Sequence, residues 1–170
     1  MRNSFAMSIA CAIGTIICTA TPPAHASGRD DAAVKALEAR FAAAFNAKDV
    51  DAIMRCYEPG NGLVVFDVVP PRQYVGADAY RKDWEGLFSS IKGPVKFEIS
   101  DLHVATDGNL GYSHSIQHLS GTDTKGQPMD LTVRVTDVYR KVKGKWLVVH
   151  EHVSVPVDLE TGKPDLASKP

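Results

Sequence analysis

The feature that most constrains the fold is a change in the spacing of apolar residues along the chain. In the first part of the chain most apolar residues recur at helical intervals, whereas between residues 95 and 156 they alternate with polar ones, as in strands. Three helices are predicted: a long one that begins after Asp30 or Asp31, a short one capped by Asp49, and one that follows Gly76. Helices followed by strands are typical of an α+β fold.

One strand is predicted between the second and third helices, and four more after the third. The first strand, 63–69, is apolar on both faces, which indicates that both are covered. Short turns separate the later strands and predict an antiparallel meander of four segments: 95–104, 110–120, 129–142 and 145–156. To bury both apolar faces, this curved sheet must wrap around the three helices, so we predict a cone that encloses a pocket. Concave, mostly apolar pockets bind small molecules.

The ends of the chain differ in character from this predicted domain. Residues 1–26 have the pattern of a secretory signal: a cationic start, a central apolar run and the small-x-small site Ala24-His25-Ala26. The apolar run is shorter than the roughly 20 residues that a membrane anchor needs. We therefore expect export to the periplasm or out of the cell, cleavage before Ser27, a domain at 27–157 and a loosely held tail at 158–170. No membrane attachment is expected after cleavage.

Charge and cysteine content exclude several classes of function. The formal net charge is −1, so no basic surface for nucleic acid or an anionic membrane is expected. Two of the three cysteines lie in the predicted signal, and Cys56 follows apolar Ile53 and Met54, which predicts a buried, unreactive thiol. No glycine-rich phosphate loop or dinucleotide fingerprint occurs, so no cofactor is predicted.

Asp67 is the first candidate for chemistry. It is the single charge in a strand that also contains Leu63, Val65 and Val69, and burial there would raise its pKa and let it hold or accept a proton near neutrality. The same pattern fits a structural ion pair with an arginine, for which Arg134 is the best-placed residue.

Arg134 and Thr136 share one face of their strand, and Val133, Val135 and Asp137 share the other. The residues of the last strand that lie opposite Arg134 and Thr136 depend on the hairpin turn at 143–144.

A two-residue turn at 143–144 would place Arg134 opposite Val153 and Thr136 opposite Glu151. We favour this register because it gives the cation a carboxylate neighbour. A three-residue loop would instead place two histidines opposite Arg134 and Thr136: His152 and His150.

Histidines are the remaining candidates. His150 and His152 have the i, i+2 spacing that two metal ligands can use, and His114 shares a strand face with His118. A zinc site needs three or four converging ligands, and these spacings show none, so no metal is predicted.

Several motifs together resemble the nuclear transport factor 2-like superfamily, in particular SnoaL-like proteins, ketosteroid isomerase and the calcium/calmodulin-dependent kinase association domain. The resemblance extends over about residues 31–157 and implies the same cone of three helices and a curved sheet. The motifs that carry it are Phe45-Asn46-Ala47-Lys48-Asp49, Val65-Phe66-Asp67, Gly76, Arg134-Val135-Thr136-Asp137, Gly144-Lys145-Trp146 and His150-Glu151-His152.

The resemblance also implies roles for single residues. Asp67 matches the general base of the isomerase. The tyrosine and the protonated aspartic acid that bind the oxyanion in the isomerase fall on Phe41 and Thr136, and a phenyl ring cannot donate a hydrogen bond. Steroid isomerisation is therefore not predicted. His114 matches a pocket arginine of the kinase association domain, which places it in the cavity.

Two functional hypotheses follow. In the first, the protein binds a small anionic or carbonyl-bearing molecule and acts as an isomerase, hydrolase or cyclase. Asp67 is then the base and Arg134 the anion partner, while the ligand is oriented by three further residues: His114, Thr136, and Glu151 or His152. In the second, the domain is a non-catalytic module whose outer sheet face, with Trp146, drives dimerisation. Both hypotheses predict a homodimer.

Overall fold

The structure is a computed structural model that describes residues 25–166. Within this range the α-helices are His25–Asn46 (α1), Val50–Met54 (α2) and Ala77–Ser89 (α3), and two short strands lie between α2 and α3. A short 3₁₀ helix, Gly60–Gly62, lies between α2 and the first strand. The three predicted helices are confirmed, but α1 begins at His25, before its predicted caps Asp30 and Asp31.

Six strands form one curved, open sheet in the order β2-β1-β6-β5-β4-β3. Strand β1 runs parallel to β6, and the other neighbouring strands are antiparallel. The α+β prediction is confirmed, with a mixed sheet in place of a purely antiparallel one. The strands are Val64–Phe66 (β1), Tyr74–Val75 (β2), Ile91–Asp107 (β3), Leu110–Asp123 (β4), Pro128–Val142 (β5) and Lys145–Ser154 (β6).

Irregular pairing accompanies the curvature of the sheet. The register of β3 against β4 shifts between Lys92 and Lys96 and again between Ser100 and His103. Such bulges bend a strand and increase its twist. The sheet can therefore curl around α1, with a concave face toward the helices and an outer face away from them.

The end of α1 is fastened to β3 by the side chains of the Asn46-Ala47-Lys48-Asp49 segment. Asn46 Nδ2 donates to the Phe97 carbonyl at 2.9 Å, and the Phe97 amide donates back to Asn46 Oδ1 at 2.8 Å. Lys48 Nζ donates to the Ile91 carbonyl at 3.1 Å, and Asp49 caps α2. This segment sets the position of two helices relative to the sheet.

Aromatic side chains form the core between the helices and the sheet. Phe41 and Phe45 of α1 lie against Trp84 of α3 and Phe97 of β3, with ring centroids between 4.2 and 5.8 Å apart. Cys56 is buried, as predicted, and burial raises the pKa of its thiol. The thiol therefore stays in its unreactive protonated form.

The predicted two-residue turn at 143–144 is confirmed, because Val142 pairs with Lys145. Both turn residues have positive φ, 49° at Lys143 and 80° at Gly144, as a type I′ hairpin requires.

The predicted register beyond that turn is wrong. A bulge between Tyr139 and Val138 shifts the pairing of the strand residues farther from the turn. Arg134 therefore lies opposite Ser154 rather than Val153. The same shift places Thr136 opposite His152 rather than Glu151.

Trp146 does not lie on an exposed sheet face, and that prediction is wrong. Its side chain is buried, and its Nε1 donates to Asp30 Oδ1 of α1 at 3.1 Å. Lys141 lies over the indole ring, with Nζ 5.5 Å from the centroid. Trp146 therefore joins the start of α1 to the last hairpin.

The described part of the predicted tail is hydrogen-bonded to the domain. The Thr132 amide donates to the Leu166 carbonyl at 2.7 Å, and Val157 pairs with Pro164. The predicted signal, 1–26, lies outside the described residues except for its last two positions. Among residues 25–166, no helix combines the length and apolar character needed to cross a membrane.

Candidate functional site

A cavity of about 360 Å³ lies between the helices and the concave face of the sheet. Much of its wall is apolar and comes from α1, α3 and the long strands, including Phe41, Phe45, Trp84, Leu87, Phe97 and Leu119. Its polar lining residues are Asp67, Tyr80, Lys82, Asp83, Gln117 and Glu151. The combination of an apolar wall with a few polar groups is typical of small-molecule sites.

Glu151 is held in this wall by two tyrosines. The Tyr57 hydroxyl donates to Glu151 Oε2 at 2.6 Å, and the Tyr80 hydroxyl donates to Oε1 at 2.5 Å. Burial raises the pKa of Glu151 to about 7, helped by the nearby charge of Asp67 and opposed by the two phenol donors. Glu151 therefore changes its protonation state close to neutral pH.

Asp67 follows directly after β1 and contacts the same tyrosine. The Tyr80 hydroxyl is 3.3 Å from Asp67 Oδ2, and the Val68 amide donates to Asp67 Oδ1 at 2.5 Å. Burial raises the pKa of Asp67, and the charge of Asp83 adds to the effect. Asp67 and Glu151 are thus two carboxyl groups on either side of one hydroxyl.

A second group of acids lies behind Glu151, away from the cavity. Asp137 of β5 is 2% exposed and Glu38 of α1 is 3% exposed. Tyr139 donates to Glu38 Oε1 at 2.7 Å, and Ser113 Oγ lies 2.7 Å from the Tyr139 hydroxyl. Burial raises the pKa of both acids.

The cations among the predicted site residues do not reach these acids. In the described chain, no lysine, arginine or histidine forms an ion pair with the four carboxyl groups. The ion pair predicted between Asp67 and Arg134 is therefore absent. The four acids are Glu38, Asp67, Asp137 and Glu151.

Four predicted ligand-binding residues lie together, but on the outer face of the sheet. Cross-strand pairing aligns His152, Thr136 and His114 in one row, and all three are exposed. Arg134 is exposed on the same face and forms no ion pair with a described residue. The His114 ring stacks on His103 with centroids 4.8 Å apart.

The prediction that these four residues lie in the cavity is wrong, because side chains alternate between the two faces of a strand. The face of β5 that carries Val133, Val135 and Asp137 points inward, and the face that carries Arg134 points to solvent. Of the predicted site residues, the structure brings only Asp67 and Glu151 to the cavity.

Sequence reasoning missed four residues of the site, although signals for two of them were present. Asp137 shares its strand face with Val133 and Val135, and Glu38 lies four residues after Val34 on the inward face of α1. An acid on a buried face is itself a candidate. The other two, Tyr57 and Tyr80, were predicted only as apolar core residues.

The arrangement can hold and move protons. Two neighbouring carboxyl groups with raised pKa values, joined through a phenol, can act as a base and an acid at neutral pH. Among the described residues, no three potential ligands are close enough together to hold a metal ion.

Comparisons with known proteins agree with this fold. A sequence profile described as a SnoaL-like domain matches residues 34–158. The crystal structure of an NTF2-like protein of unknown function from Pseudomonas putida is 31% identical, with a TM-score of 0.76, and the match covers 85% of this chain and 99% of that one. A comparison with curated proteins finds no match.

Two more distant structures share the fold. A ketosteroid isomerase-like protein from Erwinia carotovora is 20% identical, with a TM-score of 0.63, over 74% of this chain and 95% of that one. A proposed calcium/calmodulin-dependent protein kinase II association domain from Xanthomonas campestris is 23% identical, with a TM-score of 0.63, over 84% of this chain and 96% of that one.

Proposed function

The chain belongs to the SnoaL-like domain family, and we propose that it binds a small carbonyl-bearing molecule and moves a proton on it, with Asp67 as the base. The observation that carries the proposal is the position of Asp67 and Glu151, on either side of the Tyr80 hydroxyl in the wall of an apolar cavity. The ketosteroid isomerase-like protein of the same fold is consistent with this class of reaction.

The charge of the cavity favours an uncharged ligand over an anionic one. Three lining residues are acids, Asp67, Asp83 and Glu151, and Lys82 is the single lysine or arginine among the lining residues. An anion in this cavity would be repelled by the ionised carboxylates. A neutral ketone or aldehyde avoids that cost and still offers an acidic C–H bond.

The environments of the two acids support separate roles. Asp67 is partly exposed and takes the proton from the carbon next to the carbonyl, while the C–H electron pair moves toward the carbonyl oxygen. Glu151 has a pKa of about 7, so about half of it carries a proton near neutral pH. In its protonated form Glu151 donates a hydrogen bond to the oxygen that gains charge.

The experiment measures proton transfer directly. Enolisable ketones and aldehydes are incubated with the protein in D₂O, and ¹H NMR follows the loss of the α-proton signal. We expect the wild type to accelerate this exchange for at least one compound, and Asp67→Asn to slow it by about 10²–10⁴-fold. Equal exchange rates for the wild type and Asp67→Asn would contradict the proposal, and so would a panel in which no compound exchanges.

Asp101→Asn is the matched control for the loss of an acid. Asp101 is exposed, outside the cavity lining, and has φ 50°, a conformation that asparagine tolerates well. It should retain the wild-type exchange rate. Melting temperatures of both variants show whether each is folded.

A second candidate function is self-association through the outer face of the sheet. Phe66 of β1 is 38% exposed there, and its ring contacts His150 and His152 with centroids 5.0 and 5.8 Å away. A second copy that covers this face would bury the aromatic ring in a two-fold dimer. Trp146 takes no part, because it is buried within the chain.

Sedimentation velocity tests this association. We expect a dimer at about 10⁻⁵ M, where about 7 kcal/mol of association free energy is sufficient. Phe66→Asp should be monomeric, whereas Leu159→Asp should stay dimeric, because Leu159 lies outside the sheet and is 94% exposed. A monomeric wild type would refute the proposed dimer.

We also propose that residues 1–26 direct export and are removed. The support is their cationic, apolar and small-x-small pattern. Mass spectrometry of protein expressed in a bacterial host should find the exported chain beginning at Ser27. An exported chain that still contains residues 7–20 would contradict this proposal.

A further inference from the structure

Asp137 and Glu151 face each other across two strands in the interior of the protein. They are direct cross-strand partners in the β5–β6 ladder, and their exposed fractions are 2% and 6%. Cross-strand partners on one face have Cβ atoms about 4.5–5.5 Å apart. Two carboxyl groups at this separation in the core repel each other strongly if both are ionised.

Counting hydroxyl hydrogens shows that Asp137 lacks a donor. Tyr139 and Ser113 are the hydroxyl groups near Asp137 Oδ2, each at 3.4 Å. Each hydroxyl has one hydrogen, and both make shorter contacts elsewhere. Tyr139 donates to Glu38 at 2.7 Å, and Ser113 lies 2.7 Å from the Tyr139 oxygen, to which it can then donate.

The other oxygen of Asp137 has no donor at all. Asp137 Oδ1 is buried and finds no hydrogen-bond donor among the described residues. The Glu151 carboxyl faces Asp137 from the neighbouring strand, as its direct cross-strand partner. Two carboxyl groups can form a hydrogen bond only if one of them carries a proton.

Counting donors also shows which of the two carries it. Both oxygens of Glu151 already accept a hydrogen bond from a phenol, Oε2 from Tyr57 and Oε1 from Tyr80. Asp137 accepts none of comparable length. A carboxylate is stabilised by donors, so the negative charge belongs on Glu151 and the proton on Asp137.

Among the described residues, no positive charge offsets an ionised Asp137. The titratable groups that face it from the surrounding elements are Glu38 from α1, Tyr57 just after α2, Tyr139 from β5 and Glu151 from β6. The first and last are acids, and no described lysine, arginine or histidine forms an ion pair with any of them. Burial, followed by the charges of Glu151 and Glu38, raises the pKa of Asp137 well above its usual range.

We propose that Asp137 is a neutral carboxylic acid at physiological pH and donates its proton to the Glu151 carboxylate as a third hydrogen bond, beside those from Tyr57 and Tyr80. Asp137 is then a positioning residue that acts through Glu151 and lies outside the cavity lining. Its role in catalysis rests on the proposed function, whereas its protonation state does not.

The proposal explains how Glu151 can ionise near neutral pH although it is buried. A carboxylate with two or three good donors is stabilised even when buried. Without the proton on Asp137, Glu151 would face a second negative charge and lose one donor. Asp137 therefore lets Glu151 ionise near neutral pH rather than at a much higher pH.

The test is a ¹³C NMR titration of side-chain carboxyl groups in the whole chain without ligand. The samples are the wild type, Asp137→Asn and Asp137→Leu, and Glu151→Gln assigns the Glu151 signal. Asparagine keeps a neutral donor, and leucine keeps the approximate shape without a donor. We expect the wild-type Asp137 signal to remain that of a protonated acid from pH 5 to pH 9.

The two variants distinguish the effect of a hydrogen bond donated by residue 137 from the effect of residue 137 being uncharged. Asp137→Asn should leave the pKa of Glu151 within about half a unit of the wild-type value, whereas Asp137→Leu should raise it by about one unit, a tenfold change in the ionisation constant. The proposal is overturned if Asp137 ionises below pH 7, or if Asp137→Asn lowers the pKa of Glu151 by about a unit, as loss of a negative charge would do. An unchanged pKa in Asp137→Leu would also overturn it.

The design tolerates a variant that fails to fold and separates this proposal from the proposed function. If Asp137→Leu does not fold, the wild-type and Asp137→Asn titrations still decide the protonation state. The titration needs no substrate, so a failure to find proton exchange on ketones would count against the proposed function alone. If exchange is found, its pH midpoint should be unchanged in Asp137→Asn and higher in Asp137→Leu.

Discussion

Tyr80 is the residue that connects the two carboxyl groups of the site. Its hydroxyl has one hydrogen, and the contact with Glu151 is 2.5 Å against 3.3 Å for the contact with Asp67. The hydrogen therefore points to Glu151, and the phenol oxygen is left to face Asp67. A protonated Asp67 can donate to that oxygen. The loss of this proton therefore changes the hydrogen bond that the Tyr80 hydroxyl donates to Glu151.

Replacement of Tyr80 by phenylalanine should raise the pKa of Glu151 above its value of about 7, because the carboxylate loses a donor. A hydrogen bond to a charged group contributes about 1.5–3 kcal/mol, which corresponds to an increase of about one to two pKa units. Carboxyl ¹³C titration of Tyr80→Phe measures the shift. Tyr74→Phe is the matched control, since that phenol donates to Asp83 at 2.6 Å instead, and an equal shift in both variants would contradict the assignment.

Single site residues could be predicted from the sequence where a charged side chain stands among apolar neighbours. Asp67 was found because it is the single charge in an apolar strand. The period-two pattern places Asp137 on the strand face of Val133 and Val135, but the pattern alone does not show which of the two faces points inward. Tyr57 and Tyr80 could not be assigned, since a phenol in the core and a phenol that donates to an acid produce the same apolar pattern.

At the scale of the elements, one bulge decides which residue of β6 enters the site. Val138 pairs with His150 and Tyr139 pairs with Val148, so Val149 is the extra residue. Without this insertion, the regular register from the turn would place His150 opposite Asp137. Turn chemistry identifies the hairpin from two residues, whereas a bulge in mid-strand has no local sequence signal of comparable strength.

The joint between α1 and β3 gives a prediction at the same scale. Asn46→Ala removes two hydrogen bonds with the Phe97 backbone, of 2.9 and 2.8 Å. Because the Phe97 amide and carbonyl lose their partners, we expect a loss of about 1–3 kcal/mol in the free energy of unfolding. Urea denaturation measures it. Gln127→Ala is the control, since the Gln127 side chain is exposed. A similar loss of stability in that variant would show that the Asn46–Phe97 hydrogen bonds have no special role.

For the molecule as a whole, the buried charged side chains among residues 25–166 are acids, and no lysine or arginine is buried with them. The sequence analysis expected opposite charges to be drawn together in the cone, as buried charges usually are. The structure instead combines four acids with three phenols and a serine. Such a core is neutral only when protons are bound, and this makes the stability of the protein depend on pH.

We expect the protein to become more stable as the pH falls from 8 to 5. Glu151 has a pKa of about 7 in the folded protein against 4.5 for an ordinary glutamic acid, and burial also raises the pKa values of Glu38, Asp67 and Asp137. Between these two pH values the folded state binds protons that the unfolded state does not, so the free energy of unfolding rises as protons are added. For Glu151 alone the gain over this pH range is about 2–3 kcal/mol.

The gain ends below the pKa values of the unfolded chain, because both states are then protonated. The surface acids Asp30 and Asp158 have lowered pKa values in the folded state and oppose the trend only in stronger acid. Urea denaturation at pH 5, 6, 7 and 8 measures the profile. Glu151→Gln, which carries no titrating proton, should flatten it without abolishing the part that comes from the other three acids, whereas a wild type that loses stability from pH 8 to pH 5 would show that the buried acids are ionised.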